Sequence, residues 1–135
     1  LVVDDSGDAV LTDFGVAKQY DDEGSILNRR GVHGTSDFAG PEMRTSGAMV
    51  RFGPQPDIFG LSATIYNLIT QSRPHPIKDF SDEDEDLREL MNMENCSEPF
   101  INAVIAGLQA SASSRPENAQ AFLNLFPGCE DIKLD

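Results

Sequence analysis

The residues able to do chemistry in this chain fall into two stretches and two outlying charges. The first stretch is Asp13-Phe14-Gly15, placed directly behind the apolar run that ends at Leu11-Thr12. A carboxylate there is either a hard oxygen ligand of the kind Mg2+ prefers or a turn aspartate that caps a loop. Gly15 next to it permits backbone angles that other residues resist. The second stretch is Gly34-Thr35-Ser36-Asp37-Phe38-Ala39-Gly40-Pro41-Glu42, whose Glu42 stands 42 − 13 = 29 residues after Asp13. Asp57 and the pair Arg115-Pro116 follow at wider intervals. His33 and His75 are isolated in loop-like sequence, and neither has a partner suggesting acid–base work or metal binding.

Those residues need elements to hold them. Val2-Val3 and Ala9-Val10-Leu11 flank Asp4-Asp5-Ser6-Gly7-Asp8, and β-branched runs around an Asp/Ser/Gly cluster predict a small hairpin over residues 1–12. Residues 16–34 are polar and aperiodic, which predicts a mobile loop. Gly53-Pro54-Gln55-Pro56 stops any earlier helix and sets Asp57 as N-cap or first-turn residue of the next. From 57 to 70 apolar residues fall on every face, so this helix is expected to be a central post buried all round. A short helix is expected over 86–93. Phe100, Ile101, Val104, Ile105 and Leu108 recur at one-face helical spacing after Pro99. Pro116 fits the first position of a last helix running to about residue 125. The order of hairpin, long loop and helices reads as a mostly α-helical α+β lobe, not a parallel-sheet fold.

Composition narrows the function classes. The chain has 135 residues, 39% of them hydrophobic, enough for one domain with a core of its own. No apolar run approaches the roughly 20 residues that cross a bilayer, and Leu1-Val2-Val3 meets Asp4 and Asp5, unlike a signal peptide. Cys96 and Cys129 lack metal-type spacing and read as reduced thiols, which makes a cytoplasmic location the expectation. A net charge of −13 repels phosphate backbones, so nucleic acid is not an expected partner. Between residues 79 and 98 nine acids meet one base, Arg88. That run is either a solvated face or an attractor for basic peptides.

Taken together, Asp13-Phe14-Gly15, Gly34-Thr35, Pro41-Glu42, Asp57 and Arg115 resemble, in order and spacing, the C-terminal lobe of eukaryotic-like Ser/Thr protein kinases. The resemblance covers nearly the whole chain: residues 1–12 as hairpin, 13–42 as activation segment, 57–70 as central helix and 99–126 as C-terminal helices. It implies that Asp13 holds the Mg2+ of Mg-ATP, with Phe14 packing under a helix of the other lobe and Gly15 letting the segment switch. It implies that Thr35 shapes the site for a substrate hydroxyl, and that Glu42 pairs with Arg115 while Asp57 braces the catalytic loop. The last three are structural roles.

Departures from the pattern are equally specific. Gly40-Pro41-Glu42 replaces Ala-Pro-Glu, Ser62 stands five residues after Asp57 where a glycine is expected, and Gly31 occupies the usual phosphothreonine position. Tyr20 and Ser25 are the only hydroxyls between Gly15 and Gly34. The Gly-rich loop, the strand lysine with its glutamate, and His-Arg-Asp-x-x-x-x-Asn do not occur in the 135 residues. The expectations are therefore a piece inactive by itself, ATP and Mg2+ as cofactors of the complete enzyme only, and an apolar flank covered by the missing lobe and catalytic-loop segment or by a second copy. A non-catalytic kinase-like lobe that binds proteins is the alternative.

Overall fold

The computed structural model describes residues 1–12, 14, 38–44, 53–77 and 83–135. It is mostly helical, with one two-stranded sheet. Strands β1 (Val2–Val3) and β2 (Ala9–Val10) pair antiparallel, Val2 opposite Val10 and Val3 opposite Ala9. The Asp4 side chain makes the turn, accepting from the backbone N–H of Ser6 at 2.9 Å and of Asp8 at 3.0 Å. Short side-chain acceptors of this kind replace the backbone partners that a reversing chain loses.

Helix α1 spans Gln55–Thr70, starting two residues before the expected place. Pro54 is its N-cap and Pro56 lies in the first turn, where a missing N–H costs nothing. Asp57 is thereby a first-turn residue, at the positive end of the helix. Gln71, in the left-handed region at φ 56°, ends the helix by donating its N–H to the Asn67 carbonyl. Ile58, Phe59, Ser62, Ala63 and Tyr66 are its buried residues. The expectation of burial all round fails: Leu61 is 41% and Leu68 73% exposed. Apolar side chains on that flank of the helix thus stay open to solvent.

Helix α2 spans Glu83–Met93 and also starts early, by three residues. Its first residues are acidic, and carboxylates near a helix N-terminus are favoured by the backbone dipole. Helix α3 spans Glu98–Gly107 after Ser97 at the N-cap, with Pro99 in its first turn. Helix α4 is only Ala119–Leu123, shorter than the expected 116–125. Asn118 takes the capping role, its side chain accepting from the Ala121 N–H at 2.8 Å. Arg115, held extended by the proline after it, and Pro116 thus stay outside the helix.

Helix α1 packs chiefly on α3, and α2 closes against both. The core joins Phe59, Ala63 and Tyr66 of α1 to Leu87 and Met91 of α2, Ile101, Val104 and Ile105 of α3, and the loop residues Ile77 and Leu108. Each large side chain so buried contributes about 1.5–3 kcal/mol relative to exposure. Ile77 is clipped to the end of α3 by two backbone bonds, donating to the Leu108 carbonyl at 3.0 Å and accepting from Ala110 at 2.8 Å. Arg88 ties α2 to α3 through Glu98 at 3.2 Å and Asn102 at 2.8 Å. Cys96 and Cys129 are free thiols.

Candidate functional site

The part of the site that the structure describes is built around Arg115. Its side chain is fully buried, and Glu42, 16% exposed, faces it. The guanidinium forks onto the carboxylate, Nη1 to Oε1 at 2.7 Å and Nη2 to Oε2 at 2.9 Å. Its remaining three N–H groups reach backbone carbonyls: Nε to Gln109 at 2.7 Å, Nη1 to Gln55 at 2.9 Å and Nη2 to Ala110 at 3.2 Å. All five donors are used, as a buried arginine requires. The guanidinium carbon also sits 4.9 Å from the centre of the Phe59 ring, a cation–π geometry.

This one side chain therefore joins three pieces of chain. They are the segment ending in the 3-10 turn Pro41–Arg44, the start of α1, and the loop between α3 and α4. A further bond from Gln55 Nε2 to the Glu117 carbonyl, 3.3 Å, ties the same loop to α1. The resemblance to the kinase lobe implied the pairing of Glu42 with Arg115. The carbonyls of Gln55, Gln109 and Ala110 carry no sequence signal, because any residue supplies one.

Gly40 belongs to the same geometry. A Cβ built on it would lie 2.7 and 2.8 Å from the two Glu42 carboxylate oxygens. A free glutamate would swing aside, but this one is held by the Arg115 fork. Phe38, two residues earlier, packs against the core.

Asp57 stands close by on the first turn of α1. Its residue is exposed, and among the described residues its carboxylate has no hydrogen-bond partner. Partial desolvation by the surrounding protein raises its pKa above the usual carboxylate value. Phe14 is 66% exposed. Asp13, Gly15 and Thr35 lie outside the described residues, as do Tyr20, Ser25, Gly31 and residues 79–82 of the acidic run. Among the described residues no three His, Cys, Asp or Glu side chains converge on a point that could hold a metal ion.

Ser62 and Gly107 form a second feature that the sequence did not announce as a pair. Ser62 is fully buried, and its hydroxyl has no hydrogen-bond partner among the described residues. Gly107, on α3, faces it so closely that an added Cβ would overlap the Ser62 Oγ and sit 2.8 Å from the Ser62 Cβ.

Comparison with known proteins gives the family of the chain. The family model described as "Protein kinase domain" matches residues 1–126. The chain belongs to the protein kinase family. It is also 32% identical, over 85 residues, to a proline-rich receptor-like protein kinase of Arabidopsis thaliana. The match covers 62% of this chain and 16% of that relative, so the chain spans a small part of the length of the curated relative it matches. No solved structure matches it.

Proposed function

We propose that this chain is the C-terminal-lobe portion of a Ser/Thr protein kinase, a protein that transfers the ATP γ-phosphate to protein hydroxyls. The observation that carries the reading is the Glu42–Arg115 fork, which anchors the end of the segment headed by Asp13 to the start of α1 and the loop before α4. In the reaction a hydroxyl oxygen bonds to the γ-phosphorus, the bond to the β-phosphate bridging oxygen breaks, and ADP leaves. The hydroxyl proton goes to a base that the 135 residues do not encode.

Asp13 supplies the donor chemistry that Mg2+ takes, and the ion when bound neutralises charge on the phosphate oxygens. Thr35 shapes the substrate side. Asp57, whose carboxylate has no hydrogen-bond partner among the described residues, stands at the head of α1 ready for backbone N–H groups of the catalytic loop. The acidic run at 79–86 biases the enzyme toward basic substrates, a preference that a peptide library detects and that neutralising the run abolishes. A library preference left intact by that change removes the bias from the reading.

The test of the main reading is phosphoryl transfer by a polypeptide that joins this chain to an upstream segment bearing the strand lysine and His-Arg-Asp. Label from γ-phosphate should appear on serine and threonine, and Asp13→Ala should lower the rate by about 100-fold or more. An unchanged rate in that variant overturns the assignment of Asp13. The 135 residues alone should show no thermal shift with Mg-ATP, since binding to the folded state is what raises the midpoint. A clear shift abolished by Asp13→Ala would show that the isolated chain is competent after all.

A further inference from the structure

Beyond α4 the chain does not run off into solvent. Cys129 donates its N–H to the Phe126 carbonyl at 3.0 Å and Ile132 donates to the Cys129 carbonyl at 3.2 Å, with Gly128 at φ 81° between them. These turns send the last residues back across α4. There the Gln120 carboxamide takes hold of the backbone with both of its ends. Its Nε2 donates to the Ile132 carbonyl at 2.7 Å, and its Oε1 accepts from the Leu134 N–H at 2.6 Å. The two backbone groups flank Lys133 and face the same way, as they do along one edge of an extended strand. One side chain thus does the work of a neighbouring strand, and it reads main chain rather than side chains.

Residues 130–135 are otherwise exposed, and among the described residues no other hydrogen bond holds 133–135. The element they cross is itself slight. A five-residue helix cannot stand on its own propensity. It persists because Asn118 caps it and because Phe122, 4% exposed, seats it in the core. Phe122 meets Phe126 edge-on at 5.1 Å, and Phe126 meets Phe100 of α3 at 5.3 Å.

From this geometry we infer that residues 130–135 form a detachable strap over α4, with Gln120 as its latch, and that releasing the strap loosens α4 and its phenylalanine cluster. The inference is independent of the proposed catalytic role. Amide hydrogen exchange on the 135-residue chain, read residue by residue, tests it. In the unaltered chain the Leu134 amide should exchange roughly tenfold or more slowly than in a free peptide. Gln120→Ala should return it to about the free-peptide rate and speed exchange across 119–126, while 58–69 stay as they were. Gln120→Glu, which keeps the acceptor and loses the donor, should fall between. A Leu134 amide already at the free-peptide rate, or one still protected in Gln120→Ala, overturns the latch. A chain ending at residue 130 tests the coupling without touching α4: faster exchange at 119–126 supports it, and unchanged exchange there overturns it.

Discussion

Replacing Glu42 by alanine puts the central frame to its strictest test. The change removes two charge-assisted hydrogen bonds, of 2.7 and 2.9 Å, from a guanidinium that is fully buried. Breaking a buried pair by deleting one partner costs about 3–5 kcal/mol, since the remaining charge is left without compensation. Glu42 retains 16% exposure, so water can enter the vacated space and offset part of that loss. The three bonds from Arg115 to the carbonyls of Gln55, Gln109 and Ala110 also survive. The expected loss is therefore near the lower end, about 3 kcal/mol. At about 3–4 °C per kcal/mol for a chain of this size, the midpoint should fall by about 10 °C. Glu42→Gln keeps a carbonyl acceptor and should lose less, about 1.5–2 kcal/mol. Arg115→Ala strands Glu42 and three carbonyls together and should lose the most. Urea unfolding with a shared m-value gives the ordering directly. A loss below about 1 kcal/mol for Glu42→Ala is the level of an exposed ion pair and would refute the claim that this fork holds the segment to the helices.

Further outcomes follow from the same structure. Ser62→Ala removes a buried hydroxyl that has no partner among the described residues, and should stabilise the chain by about 1 kcal/mol in urea unfolding; a loss of stability would reveal a partner for that hydroxyl. Gly107→Ala drives a methyl group into Ser62 and should cost about 1–3 kcal/mol, less when Ser62→Gly accompanies it. The Asp57 carboxyl should titrate above 3.8 when followed by NMR. Because the folded form then holds its proton more tightly than the unfolded chain, Asp57 works against folding at neutral pH, and that opposition fades as pH falls through its folded pKa toward 3.8. A midpoint at or below 3.8 would mean that its surroundings favour the anion.

Much of this frame was legible because it rests on residue types with few alternative uses. Proline and glycine at 53–56 placed the start of α1 to within two residues, and the spacing of Ile101, Val104, Ile105 and Leu108 located α3. Glu42 and Arg115 were recognisable as partners from family order, and they meet. Helix ends were less legible, since they turn on single side-chain bonds. The Asn118 cap moved the start of α4 past Pro116, and acids in the first turn let α2 begin at Glu83. The burial of α1 was misread for a different reason. Apolar residues on every face state what a helix can cover, and Leu61 and Leu68 remain exposed because a neighbour must exist to cover them. Gln120 gave no signal at all, because a glutamine that binds backbone looks like any other on a helix surface.

Two of the departures from the family pattern, those at Gly40 and Ser62, are tied to their surroundings. At position 40 the missing methyl group leaves room for a Glu42 carboxylate that Arg115 holds in place. At position 62 the added hydroxymethyl group sits where α3 offers Gly107, the residue with no side chain to oppose it. Close packing makes such exchanges local, since volume added on one helix must be given up by the surface it faces. The exchange at Ser62 is incomplete in one respect: its size is accommodated but its polarity is not, and the hydroxyl stays without a partner among the described residues. The room for the Ser62 side chain thus comes from the absence of one at Gly107 on α3. Replacing Ser62 by glycine alone would leave a void beside Gly107.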